Sequence, residues 1–199
     1  LTANVREGGE KLGLSNTQEG YGALTKLFHW LIVILFALQY VGGNIMTDMV
    51  RGELVLGLTQ AIYYNWHKSL GLLALAIAIP RLINRKVGQL PDWAPTLSQG
   101  EQRFIHRAEQ VLYAAMFIMP VSGYLYVMAG DFGVNLFGVW RMPNPIGKWE
   151  ELAFIAKWTH IISGYVLLAA IIGHVGLVLR HQLFLKDGIL MRMLPQKKS

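Results

Sequence analysis

The chain has 199 residues, 53% hydrophobic and 15% charged, with a mean hydropathy of +0.37, which excludes an ordinary soluble domain and points to several membrane spans. It has no cysteine, so disulfides, cysteine-ligated iron–sulfur clusters, thiolate zinc sites and CxxCH haem attachment are excluded, and any metal must be held by histidine or oxygen. The net charge of +6 does not make a nucleic-acid surface, because the Lys and Arg residues flank apolar runs instead of forming a stripe with interleaved aromatics.

Residues 1–20 (LTANVREGGEKLGLSNTQEG) are polar and lack the apolar core of a secretory signal. They read as a flexible or partner-ordered tail before a membrane domain at residues 21–199. The first predicted span is Leu27–Met46, entered through Lys26, with His29 in its first turn. Gly42 and Gly43 near its far end permit close approach of a helix or a flat ligand. Residues 47–65 carry Asp48, Arg51 and Glu53 and an apolar piece too short to cross a bilayer, which predicts an interfacial segment.

The second predicted span runs from Trp66 to Ile83, with His67 and Lys68 at its entry, Gly71 one turn on, and Pro80 and Arg81 at its exit. Pro80 removes a backbone donor and predicts a kink. The next loop holds Arg85, Lys86, Arg103 and Arg107 and the turn-rich GQLPDWAPTLSQG. The third span, Val111–Ala129, contains Pro120 and Gly123 and begins earlier as an amphipathic turn in which His106 is interfacial between two arginines. A loop over residues 130–156 carries Trp140, Trp149 and the acidic pair Glu150 and Glu151.

The fourth span lies in Lys157–His181, where Trp158–Leu179 has no charged residue over 22 positions, long enough for a hydrocarbon core of about 30 Å. His160 and His174 inside it are 14 residues apart. At about 100° and 1.5 Å per residue, both imidazoles leave one stripe of the helix, separated by about 21 Å along the axis.

Four spans put both termini on one side. Arg6, Lys11, Lys26, Arg81, Arg85, Lys86, Arg103, Arg107, Arg180, Lys186, Arg192, Lys197 and Lys198 fall on that side. Only Arg51, Arg141, Lys148 and Lys157, with Lys68 at a helix mouth, fall on the other, so the termini are expected in the cytoplasm. His29 and His174 then share the inner level, and His67 and His160 the outer one. Two facing imidazole pairs at two depths suit two non-covalent haems stacked across a membrane, with both axial positions filled and electron transfer as the function. Gly42, Gly71, Gly164 and Gly173 near these levels offer room for a macrocycle. A single zinc or similar site would need its ligands converging on one point, which a separation of about 21 Å forbids.

FHWL in the first span, WHKSLG opening the second, LPDWAP in the loop, LYAAMFIMPVSG in the third and KWTH…GH…RH…KD…RMLP at the end resemble the bacterial cytochrome b561 family over Tyr21–Ser199. The resemblance implies an all-α membrane protein, a four-transmembrane-helix bundle binding two b haems. Its axial ligands would be His29 with His174 and His67 with His160. It also implies a place in the bacterial inner membrane and an exchange of electrons with ubiquinone, in some members with superoxide as the donor. On that reading, Arg81 and His181 are placed to meet a quinone at the inner end, the alternative being that Arg81 is a topology charge or haem-propionate partner and His181 is interfacial. Lys68, Arg141, Lys148 and Lys157 draw an anion to the outer end or hold haem propionates. A haem-bearing anchor subunit for a dehydrogenase or hydrogenase is the alternative.

Overall fold

The computed structural model describes residues 13–194. Four long helices dominate: α1 (Ala23–Asp48), α2 (Gln60–Val87), α3 (Gln99–Ala129) and α4 (Glu150–Arg180). α4 continues into a π-helical turn, His181–Leu185, and a 3-10 turn, Ile189–Arg192, follows. Two short hairpins fill the loops at the other end, β1 (Leu54–Val55) with β2 (Leu58–Thr59) and β3 (Asn135–Leu136) with β4 (Trp140–Arg141).

Local chemistry explains the helix ends. α3 starts at Gln99, twelve residues ahead of Val111, because Ser98 and Glu101 form a reciprocal capping box. α4 starts at Glu150, eight residues ahead of Trp158. Glu150 and Glu151 in its first turn and Arg180 in its last complement the helix dipole. Of the segment 47–65, expected as an interfacial piece, residues 47–48 end α1 and residues 60–65 begin α2, and residues 54–59 form a hairpin whose Leu56 and Gly57 both have positive φ (52° and 76°), as a tight two-residue connection requires.

α1 packs along α2, α2 along α3, and α3 most extensively along α4. No comparable backbone packing joins α4 to α1 or to α2 among the described residues. α4 therefore meets the α1–α2 pair chiefly through side chains, and the space these side chains span forms a slot. Ile32, Ala78 and Met116 form a buried cluster where α1, α2 and α3 meet. At the hairpin end, the Phe137 N–H donates to Ser69 Oγ (2.8 Å) and Lys68 Nζ donates to the Gly133 carbonyl (2.9 Å), which pins the 130–149 loop over α2. At the opposite end, Arg85 grips Glu109 through Nε (2.6 Å) and Nη2 (2.8 Å), tying α2 to α3.

The terminal segments close that second end. Lys26 Nζ donates to the Leu194 carbonyl (3.0 Å) and Trp30 Nε1 to the Met193 carbonyl (2.9 Å), so the C-terminal stretch seats beneath α1. Of the tail expected to be flexible or partner-ordered, residues 13–20 are held against the body. Asn16 Nδ2 donates to the Gln89 carbonyl, and its Oδ1 accepts from Gly22 N–H and Thr25 Oγ. Residues 1–12 lie outside the described residues, as do Lys197 and Lys198.

The outward faces are apolar, with Ile34, Leu38, Val41, Ile162, Tyr165 and Ile172 all exposed. This inverts the soluble pattern and matches a lipid surround. α1, α3 and α4 with its π turn are long and apolar enough to cross a membrane. α2 is long enough, but only Ser69–Pro80 separates Lys68 from Arg81, about 18 Å of uncharged helix. Three apolar spans are thus established among the described residues where four were expected.

Candidate functional site

The slot brings the histidines together in the expected pairs. His29 on α1 faces His174 on α4 with ring centres 6.4 Å apart, and His67 on α2 faces His160 on α4 at 6.2 Å. A metal–imidazole bond is about 2.0 Å and a ring nitrogen lies about 1.1 Å from its ring centre. Two imidazoles gripping one ion from opposite sides therefore stand about 6.2 Å apart, centre to centre. Both pairs meet that distance. Among the described residues no group of three His, Cys, Asp or Glu side chains converges to hold a metal.

Backbone geometry orients the outer pair. His160 Nδ1–H donates to the Met119 carbonyl at 2.8 Å, which leaves Nε2 for the slot. In a regular helix that carbonyl also accepts from residue 123, and Gly123 has no side chain to shield it. A Cβ there would lie 3.0 Å from His160 Nδ1 and Cε1. The same device recurs on α2. Gln39 Nε2 donates to the His67 carbonyl at 2.9 Å, through space that Gly71 leaves open, where a Cβ would stand 2.9 Å from Nε2.

These contacts revise the roles expected of the glycines. Gly71 makes room for Gln39 and Gly173 for Phe104, while Gly43 and Gly123 are the residues against imidazole rings. Gly42 faces open space, and Gly164 meets only Met119 at ordinary distance.

At the inner pair, Arg81 Nη2 stands 3.5 Å from His29 Nδ1 and its guanidinium carbon lies 5.6 Å from the Tyr113 ring centre. Its Nε and Nη1 are buried without a hydrogen-bond partner. A buried guanidinium left so is costly unless an anion or a strong acceptor meets it. His181, expected beside Arg81 at a quinone, is instead fully buried with both ring nitrogens engaged, Nδ1 on Asp187 (2.6 Å) and Nε2 on Glu101 (3.2 Å). Glu101 also holds Arg180. No free nitrogen remains to meet a ligand, so His181 is a strut that joins the end of α4 to the start of α3 and to the C-terminal segment. The His181 and Thr96 hydrogen bonds hold the Asp187 carboxyl well below the usual range, at about 2.

The outer cations also divide. Lys68 is committed to Gly133, and Lys148 pairs with Glu150 at 2.8 Å, which raises its pKa. Arg141 and Lys157 are exposed. His106 is exposed on α3 beside Gln110. A groove between α3 and α4 is lined mainly by apolar side chains, among them Val111, Ile118, Phe154 and Ile162, and none of the four paired histidines lines it.

A family profile described as prokaryotic cytochrome b561 matches residues 20–196. The chain belongs to that family. It is a membrane electron-transfer cytochrome of the b type, and the family implies haem as its cofactor. Cytochrome b561 homolog 2 of Escherichia coli K12 is 26% identical over 198 residues, covering 94% of this chain and 98% of that protein. Cytochrome b561 homolog 1 of the same organism is 24% identical over 174 residues (85% and 94%). The probable superoxide oxidase CybB of Yersinia pestis is 23% identical over 183 residues (90% and 98%).

Sequence reasoning missed Gln39 and the Met119 carbonyl, and it named Gly43 and Gly123 without placing either against an imidazole ring. Gln39 had a signal, since it is a lone amide between Phe28–Leu38 and Gly42 in an otherwise apolar run. The carbonyl had none, because backbone acceptors carry no residue label.

Proposed function

We propose that this cytochrome spans the inner membrane four times with both termini in the cytoplasm. It holds two b haems, one at each histidine level, and passes single electrons from an outer donor to ubiquinone. Superoxide is the favoured donor. The observation that carries the reading is the pair of ring separations, 6.4 and 6.2 Å, bridging helices that do not otherwise pack on each other. The probable superoxide oxidase among its relatives supports the choice of donor.

Haem held by two imidazoles would supply reversible one-electron chemistry. The chain does the rest. His29 with His174 and His67 with His160 would hold it, offering neutral ring nitrogens across the slot. Gly43 and Gly123 let α1 and α3 approach those rings, and the Met119 carbonyl fixes the His160 tautomer. Half-buried Arg81, with Nε and Nη1 unpartnered, meets an anion or a strong acceptor at the inner level, a propionate or a quinone oxygen. Exposed Arg141 and Lys157 draw an anion to the outer level. In balance, two superoxide anions give one electron each and leave as dioxygen, and one quinone takes two electrons and two protons. α2 crosses with Lys68 held by the 130–149 loop and Arg81 inside the bundle, so neither charge needs to face lipid.

The test is reconstitution in liposomes containing ubiquinone, with superoxide generated outside. Quinone reduction that depends on superoxide and disappears in His160→Ala supports the reading. A purified protein that ignores superoxide and comes away only with a larger redox subunit would instead make it a membrane anchor.

A further inference from the structure

At the outer histidine level α1 presents one amide to the interior, Gln39, and its two ends are used unequally. Nε2 donates to the His67 carbonyl, whereas Oε1 is buried with no hydrogen-bond partner. His67 Nδ1 is likewise buried and unpartnered. The ring edge bearing Nδ1 and Cε1 faces Gly43, one turn of α1 beyond Gln39. A Cβ at Gly43 would lie 3.6 Å from Nδ1 and 3.3 Å from Cε1. An unpartnered amide oxygen and an unpartnered ring nitrogen thus belong to two side chains brought together where α1 meets α2. Each unmade bond carries a desolvation cost that a single bond between them removes. The opposite ring already has its acceptor, since His160 Nδ1–H is fixed on Met119.

We infer that Gln39 is the positioning residue of the outer pair. A turn of its terminal torsion brings Oε1 onto His67 Nδ1–H, which locks the tautomer whose Nε2 faces His160. This rests on the reading of His67 and His160 as axial ligands. A stronger acceptor at Nδ1 makes the imidazole a stronger donor at Nε2 and favours oxidised iron, and losing the acceptor favours reduced iron.

Spectropotentiometric titration of the purified holoprotein tests this with Gln39→Leu and Gln39→Glu, the outer haem being the one that His160→Ala lacks. In Gln39→Leu the outer reduction equilibrium moves about tenfold toward the reduced form, about 59 mV for one electron. In Gln39→Glu it moves at least as far the other way, and the inner haem does not move in either. A packing role alone would not give shifts of opposite sign. Should Gln39→Leu fail to fold, Gln39→Asn, too short to reach, shifts in the Leu direction. Two haems with wild-type potentials in these variants, or shifts of one sign in both Leu and Glu, overturn the inference and leave the function intact. A wild-type protein without haem overturns the function itself.

Discussion

Gly123→Ala isolates the backbone device at the outer level. The new Cβ would stand 3.0 Å from His160 Nδ1 and Cε1, against about 3.4 Å for ordinary contact, so the ring must retreat by about 0.4 Å. It cannot do so and keep its 2.8 Å bond to the Met119 carbonyl unchanged. That bond is worth about 1 kcal/mol net, which translates to about a fivefold loss of affinity for the outer haem. The assay is the rate of haem transfer from detergent-solubilised protein to apomyoglobin, followed by difference spectra, with Gly164→Ala as the control because its Cβ meets only Met119, at 3.7 Å. The expected result is one fast phase, assigned to the outer haem, in Gly123→Ala and wild-type behaviour in Gly164→Ala. Equal loss of both haems, or none, would refute the link from Gly123 through His160.

His160→Ala should remove mainly the outer haem and His174→Ala mainly the inner one, read as haem per chain; identical losses would contradict the two-level arrangement. Arg81→Leu removes a buried positive charge beside His29, which disfavours adding an electron there. The inner potential should fall and the outer stay put, and an unmoved inner potential would separate Arg81 from the site. Asp187, held at about 2, contributes stability that is present above the ordinary carboxylate value of about 3.9 and is lost as pH falls through about 2. A spin label on Met191→Cys, the chain having no other cysteine, should loosen over that window and should already be loose at neutral pH when Asp187→Asn is added. Mobility indifferent to both would refute the strut.

What was legible in the sequence depended on residue type and spacing. An uncharged run such as Trp158–Leu179 announces its helix, and histidines are rare enough in such runs that depth alone anticipates which rings face each other. α3 begins early because of Ser98 and Glu101, a signature that was readable but outweighed by the apolar run starting at Val111. His181 was misassigned because its position, seven residues beyond His174, says nothing of the carboxylates that α3 and the C-terminal segment bring to it. Those partners are 80 residues before it and 6 after it, and only the fold joins them. Gln39 and Gly123 act through carbonyls of neighbouring helices, so their meaning also depends on packing.

The central claim is that each histidine pair holds one haem. Pyridine haemochrome quantification together with low-temperature EPR of the purified oxidised protein tests it directly. The account predicts two b haems per chain with only low-spin, bis-imidazole signals. A colourless protein, a single haem per chain or a dominant high-spin signal would contradict it.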